Sequence, residues 1–252
     1  MVEGGTDYLI EPYAHNPDFR GVPLWEQESL NALCSAVDRE KRQIHIHAIG
    51  DAAIRMSLDA LAVAKDHNGR RDSRHLITHL QVVDYADIPR FAELDIVGVP
   101  QPFWHVKGEY FWGLEAVYLG RERAEKEYPL KSFLDAGVTL ACASDYPVQV
   151  PSPPLLAIQL GITRCIPGET DPNEILGPNE RMSLEDMIAG YTINGAYANF
   201  VENETGSIEI GKKADLVVLD RNLFDIPETE IADTNVLLTL FEGKPIYRDK
   251  SI

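Results

Sequence analysis

Four short apolar runs, each followed by a segment of helical spacing, constrain this 252-residue chain more than any other feature. Residues 25–42 carry Leu30, Leu33, Cys34 and Val37 at helical spacing and predict a helix. Gln43 to His47 then reads as a strand. Asp51 to Asp66 reads as a helix with Ile54, Leu58, Leu61 and Ala62 along one face. His75 to Leu80 is a strand, Asp84 to Leu94 a helix, and Ile96 to Val99 a strand closed by Pro100 and Pro102. Phe103 to Glu127, rich in aromatic and charged residues, interrupts the rhythm and reads as a long loop. Lys131 to Ala136 (helix), Val138 to Ala143 (strand) and Leu155 to Ile162 (helix) resume it. Alternation of this kind belongs to a parallel α/β sheet or barrel. A closed (β/α)8 barrel needs eight strands in about 250 residues. Four units in half the chain therefore predict half a barrel, or a small open sheet.

Beyond Ile166 the pattern changes. Pro167 to Pro178 holds three prolines and two glycines and reads as a loop. Ser183 to Tyr197 reads as one helix opened by a capping box at Ser183-Leu184-Glu185-Asp186, with Asn194-Gly195 inside it marking an early end or a break. Strand-like runs follow at Ala214–Leu219, Val236–Phe241 and Pro245–Tyr247, the last two joined by a turn at Glu242-Gly243-Lys244. The expected division is a partial barrel over residues 1–200 and a small β module over 201–252.

Composition narrows the function classes. A formal net charge of -17 repels phosphate backbones and anionic membranes, so neither nucleic acid nor membrane is an expected partner. Hydrophobic residues at 44% suffice for a core. Cys34, Cys142 and Cys165 are scattered and odd in number, which predicts free thiols and a reducing compartment. No apolar run reaches the roughly 18 residues of a membrane span, and the first residues do not read as a signal peptide. The cytoplasm is the expected location.

Four polar residues stand at or just past the C-terminal ends of expected strands: His47, His79, Gln101 and Asp145. In parallel barrels that end carries the active site. Imidazole and carboxylate groups are ligands for zinc or a similar divalent ion. Such an ion acidifies water for attack on a carbonyl, and Asp145 could carry the proton to a leaving group. Equally, a single histidine at a strand end is commonly a hydrogen-bonded core residue. His45 shares a strand face with His47 and could be a further ligand, a support behind the ligands or an interior residue; the last two are favoured. His105, beside Trp104, could line a substrate pocket or be an ordinary loop residue. His15, His67 and His75 have no supporting context. There is no G-x-S-x-G elbow, phosphate-binding loop or dinucleotide glycine fingerprint.

The motifs resemble those of the amidohydrolase superfamily, in its N-acyl-amino-acid deacylase-like branch (amidohydrolase family 3). His47-Ala48-Ile49-Gly50-Asp51-Ala52-Ala53 resembles its fifth-strand motif, and Thr78-His79-Leu80-Gln81 its sixth. Gln101-Pro102-Phe103-Trp104 is similar to the segment after the seventh strand, and Ala143-Ser144-Asp145-Tyr146-Pro147-Val148 to the eighth-strand motif, where glycine more often precedes the serine. Tyr191 to Ala196 and Gly206 to Asp220 are similar to its C-terminal signatures. The resemblance implies a (β/α)8 barrel carrying a small β-sandwich, and a metal-dependent hydrolase of amide or other non-peptide C–N bonds. It implies His47 and His79 as metal ligands and Asp145 as ligand and proton shuttle. One or two divalent ions, zinc foremost, would serve. Gln101, Trp104 and His105 are the candidates to contact a small-molecule substrate, with His45 behind the ligands.

The chain departs from that pattern at its start. The family's leading sandwich strands, first-strand His-x-His and fourth-strand lysine have no counterpart here. His45-Ile46-His47 is not the first-strand pair, because only 98 residues separate His47 from Asp145, too few for seven βα units. Met1 falls just after the family's fourth strand. The expectation is therefore a C-terminal half, from a truncated gene, a fragment or a split enzyme. Its partner would be the missing N-terminal half or a second copy of itself. The competing reading is an inactive fragment or self-assembling half-barrel; a sugar- or nucleotide-binding domain is more distant.

Overall fold

The computed structural model describes residues 1–108 and 111–252. Helix α1 (Gln27–Arg39) leads to strand β1 (His45–Ala48), and α2 (Asp51–Asn68) leads to β2 (Leu76–His79). A short 3-10 turn and α3 (Ile88–Glu93) then lead to β3 (Val97–Val99). The three strands pair in parallel in the order β1-β2-β3, with His47 opposite Thr78 and Thr78 opposite Val99. Expected boundaries shift by a few residues, and the order stands. The fold is mixed α/β.

The fourth expected strand is less regular than its sequence suggested. Only Leu140 forms a bridge, parallel to Gly98. Around it, Gly98 N donates to Thr139 O (3.0 Å), Ala141 N to Gly98 O (2.9 Å) and Ala143 N to Pro100 O (3.0 Å). The segment thus lies along β3 without building a ladder. Gly98 permits the approach, since a Cβ there would meet Leu140 Cδ2 at 2.7 Å and Leu80 Cδ1 at 2.8 Å.

The core forms where helices cover this sheet. Ile54 and Leu58 from α2, Ile77 from β2 and Phe91 from α3 are fully enclosed. Phe91 meets Phe133 edge to face, ring centroids 4.9 Å apart, a favoured aromatic geometry. His75, which had no expected role, is structural. Its Nδ1 accepts from Ile44 N (3.0 Å), so Nε2 carries the proton towards Asp38 Oδ1 (3.2 Å) and ties β1 and β2 to α1.

The expected loop over 103–127 is largely helical instead. It contains α4 (Phe111–Leu119) and α5 (Arg121–Ala124), while Glu109 and Tyr110 lie outside the described residues. Helix α4, Phe-Trp-Gly-Leu-Glu-Ala-Val-Tyr-Leu, is apolar almost all round. It offers no 3.6-residue stripe for a periodicity argument to find.

Helices α6 (Leu130–Asp135) and α7 (Pro154–Thr163) follow. The single helix expected over 183–197 is two, α8 (Leu184–Tyr191) and α9 (Ile193–Ala198), parted at Thr192 with φ -129 and ψ -96, ahead of Asn194-Gly195. Ser183 caps α8 by accepting from Asp186 N (3.1 Å), and its hydroxyl donates to the Asp186 carboxylate (2.7 Å). Strands β4 (Leu216–Leu219), β5 (Val236–Phe241) and β6 (Lys244–Arg248) make an antiparallel sheet in that order. All three cysteines are free thiols. Among the described residues no helix is long and apolar enough to cross a membrane.

Candidate active site

The end of β2 brings two of the expected residues together. Register places His47 beside Thr78 and Ala48 beside His79. In a regular pleat His79 would therefore point to the opposite face from His47. It does not continue the pleat, because His79 has φ 81 and Leu80 φ 57. This left-handed exit from the strand brings the rings of His79 and His47 to a centroid separation of 4.3 Å, nearly edge to face. Left-handed backbone is costly for a non-glycine residue and is concentrated at functional sites. Asp145 shares it, with φ 60, at the end of the segment aligned on β3.

The electrostatics of His79 follow from this placement. Burial pushes its pKa down, the neighbouring His47 adds to that, and Asp145 and Gln101 oppose it only in part, so it lies at about 4. The ring is neutral at pH 7, the form that ligates metals. Its Nδ1 is enclosed and has no hydrogen-bond partner among the described residues. The Trp104 indole lies parallel to it, 5.6 Å away with planes 5° apart. His47 is exposed. Together with His45 it faces a hollow of about 690 Å³, lined also by Tyr8, Leu24, Trp25 and Ile44. His45 has its pKa lowered, first by desolvation and then by His47.

The imidazoles of His47 and His79, with Asp145 in electrostatic reach of His79, fit part of a divalent-ion site. They do not complete one, since among the described residues no three His, Cys, Asp or Glu side chains gather closely enough to hold an ion.

The residues expected to contact substrate, Gln101, Trp104 and His105, are mostly enclosed in this chain. Gln101 is enclosed, and its amide nitrogen donates to Thr78 Oγ1 (2.8 Å) and Val99 O (2.9 Å). His105 is fully enclosed and stacks on Tyr128 at 4.3 Å. Neither of its ring nitrogens has a hydrogen-bond partner among the described residues, and burial, then Arg164, pushes its pKa well down. Of the three, only Trp104 keeps partial exposure.

A polar cluster beside the site had no sequence signal. Gln81 Nε2 donates to Oε1 of both Glu115 and Glu127, 2.9 Å each. Burial, then the neighbouring Glu115, raises the Glu127 pKa well above the ordinary carboxylate range. The signal was hidden because both acids fall in the segment read as a loop.

The Amidohydrolase family model matches residues 2–247. Protein LONG AFTER FAR-RED 3 of Arabidopsis thaliana is 36% identical over 95% of this chain and 40% of its own length. An N-substituted formamide deformylase of Arthrobacter pascens is 31% identical over 88% of this chain and 40% of its own. The crystal structure of an uncharacterized metal-dependent hydrolase from Pyrococcus furiosus superposes with a TM-score of 0.72 at 26% identity, covering 88% of this chain and 42% of that one. The chain thus spans about two fifths of the length of these relatives. With a family model matched almost end to end, the chain belongs to the amidohydrolase family.

Proposed function

We propose that this chain supplies the C-terminal half of a metal-dependent hydrolase of amide or other non-peptide C–N bonds. Its parallel strands would be the last four of a (β/α)8 barrel, and β4 to β6 part of a small composite sandwich. The observation that carries the reading is the meeting of His47 and His79, 4.3 Å apart at the ends of adjacent strands, through a left-handed backbone at His79. His47 and His79 would hold a divalent ion, with zinc the first candidate, and Asp145 would join them. When bound, the ion supplies a Lewis acid that polarises a carbonyl and acidifies water. The chain's own residues do the rest. Trp104 holds the His79 ring in place, and the Asp145 carboxylate takes a proton from water and delivers it to the leaving nitrogen. His45, two residues deeper on β1, supports His47. Similarity to a formamide deformylase supports C–N cleavage and leaves the acyl group open.

The chain alone holds an incomplete site, so weak metal binding and poor turnover are expected without the other half of the barrel. The test is metal analysis after dialysis, with hydrolysis of N-formyl amines and N-acyl amino acids by the chain and by Asp145→Asn. Tightly held stoichiometric zinc with turnover abolished in Asp145→Asn would show that this half suffices. Weak binding unaffected by His47→Ala or His79→Ala would remove the proposed ligands.

A further inference from the structure

Strand β2 ends by exchanging its two faces. In a regular pleat His79 would share the face of Ile77, which is enclosed in the core with Ile54 and Leu58 of α2, and Leu80 would share the face of Thr78. The left-handed pair His79 (φ 81) and Leu80 (φ 57) reverses this. Leu80 is fully enclosed in the same core cluster as Ile77, and His79 meets His47. Left-handed backbone is disfavoured about tenfold at each non-glycine residue, so its surroundings must hold it. Burial of Leu80 contributes to that, but burial has no direction. Direction comes from the residue that follows.

Gln81 is anchored by its side chain and by its backbone. Its amide nitrogen donates to Glu115 Oε1 and to Glu127 Oε1, 2.9 Å each, which engages both amide hydrogens. Its carbonyl accepts from Tyr128 N (2.8 Å). The acceptors are themselves fixed. Glu115 lies on α4, and the Glu127 carbonyl accepts from Arg164 Nη2 (2.8 Å). One residue further on, Val82 N donates to Ile49 O (3.0 Å), two residues past His47. Gln81 and Glu127 are both buried, so water does not compete for these bonds. An exit that continued the pleat would carry the amide away and leave two enclosed carboxyl oxygens without that donor, which is costly.

We propose that Gln81 is a positioning residue for His79. Its anchorage to Glu115, Glu127 and Tyr128 holds the left-handed exit of β2, and that exit turns the imidazole of His79 to His47. Gln81 thus acts on the site through the backbone. The inference rests on His47 and His79 being a ligand pair, as in the reading above. Residues that orient ligands commonly change metal affinity 10- to 100-fold when removed.

Nuclear Overhauser spectra of the isotope-labelled, metal-free chain at pH 7.5 report the geometry. A left-handed residue holds its own HN and Hα close and gives a strong cross-peak between them; an extended residue gives a weak one. Rings with centroids 4.3 Å apart give cross-peaks between His47 and His79. Titration with Co(II), followed by its visible absorption, reports affinity. The wild-type chain should show both kinds of cross-peak. Gln81→Met, of similar length without polar hydrogens, should lose the inter-ring cross-peaks, weaken the HN–Hα cross-peak of His79 and reduce Co(II) affinity about 10- to 100-fold. Gln81→Asn keeps the amide but holds it one methylene short of the carboxyls; it should show the same losses, and it serves if Gln81→Met does not fold. A merely structural Gln81 would lower the melting temperature of the variants and leave the cross-peaks in place; that result, or their absence from the wild type, overturns the proposal. If the wild type binds no Co(II), the ligand reading fails for the isolated chain, and the cross-peaks still decide the role of Gln81.

Discussion

Arg164 is fully enclosed, and replacing it offers a stability test that reaches the site. Its guanidinium donates to three backbone carbonyls: Leu176 O, Tyr128 O (3.0 Å) and Glu127 O (2.8 Å). Burial pushes its pKa down to about 10, against the opposing pull of Glu180, Tyr128 and Glu127. Keeping the cation charged therefore costs the folded state about 3 kcal/mol relative to the unfolded chain. Arg164→Met relieves that cost and preserves much of the volume. It also leaves the Leu176 and Glu127 carbonyls without that donor, about 2 kcal/mol each or about 4 kcal/mol together, while Tyr128 O keeps its bond from Leu130 N (2.8 Å). The net expectation is a loss of about 1 kcal/mol, read from urea unfolding followed by tryptophan fluorescence at pH 7.5. Hydrogen exchange should also rise at Tyr128, whose N–H donates to Gln81 O (2.8 Å), two residues beyond His79. A variant as stable as the wild type, or more so, would mean that the carbonyls find other donors and that Arg164 does not tie this region together.

Glu127→Gln should stabilise the chain at pH 8. The raised pKa of Glu127 in the folded state means stability is fully present below the ordinary value of 4.5 and is lost as pH rises above it. A neutral amide keeps an oxygen for Gln81 and escapes that loss, so the gain should shrink towards pH 4.5; thermal melts at the two pH values decide, and a variant less stable at pH 8 contradicts the reading. Separately, β1 is an edge strand of its sheet. Leu24 beside it is 97% exposed and Trp25 48% exposed. Open edges and apolar surface invite pairing, so light scattering at micromolar concentration should give a mass above that of one chain, and a monodisperse monomer would refute this.

What the sequence disclosed follows from the physics of each element. Strands β1 to β3 and helix α2 were legible because the apolar period changes where one ends and the next begins. Helix α4 was not, because a segment apolar on every side has no period. The fourth strand was legible as an apolar run, yet a run says nothing of ladder geometry, and that segment makes a single bridge.

The candidate site divides along the same line. His47, His79 and Asp145 were legible as polar residues at strand ends. The meeting of His47 and His79 was not, because strict alternation along β2 would turn His79 away from His47, and only its left-handed φ turns it back. A sequence shows that a histidine ends a strand; it does not show that the strand ends by reversing the sense of the pleat. The same limit explains Gln101. An amide just past a strand end reads as a group offered to substrate. Its two donors are instead engaged by Thr78 Oγ1 and Val99 O, which hold the amide against β2 and β3. An amide held at a strand end and one offered to solvent look alike in sequence, and only their hydrogen-bond partners distinguish them.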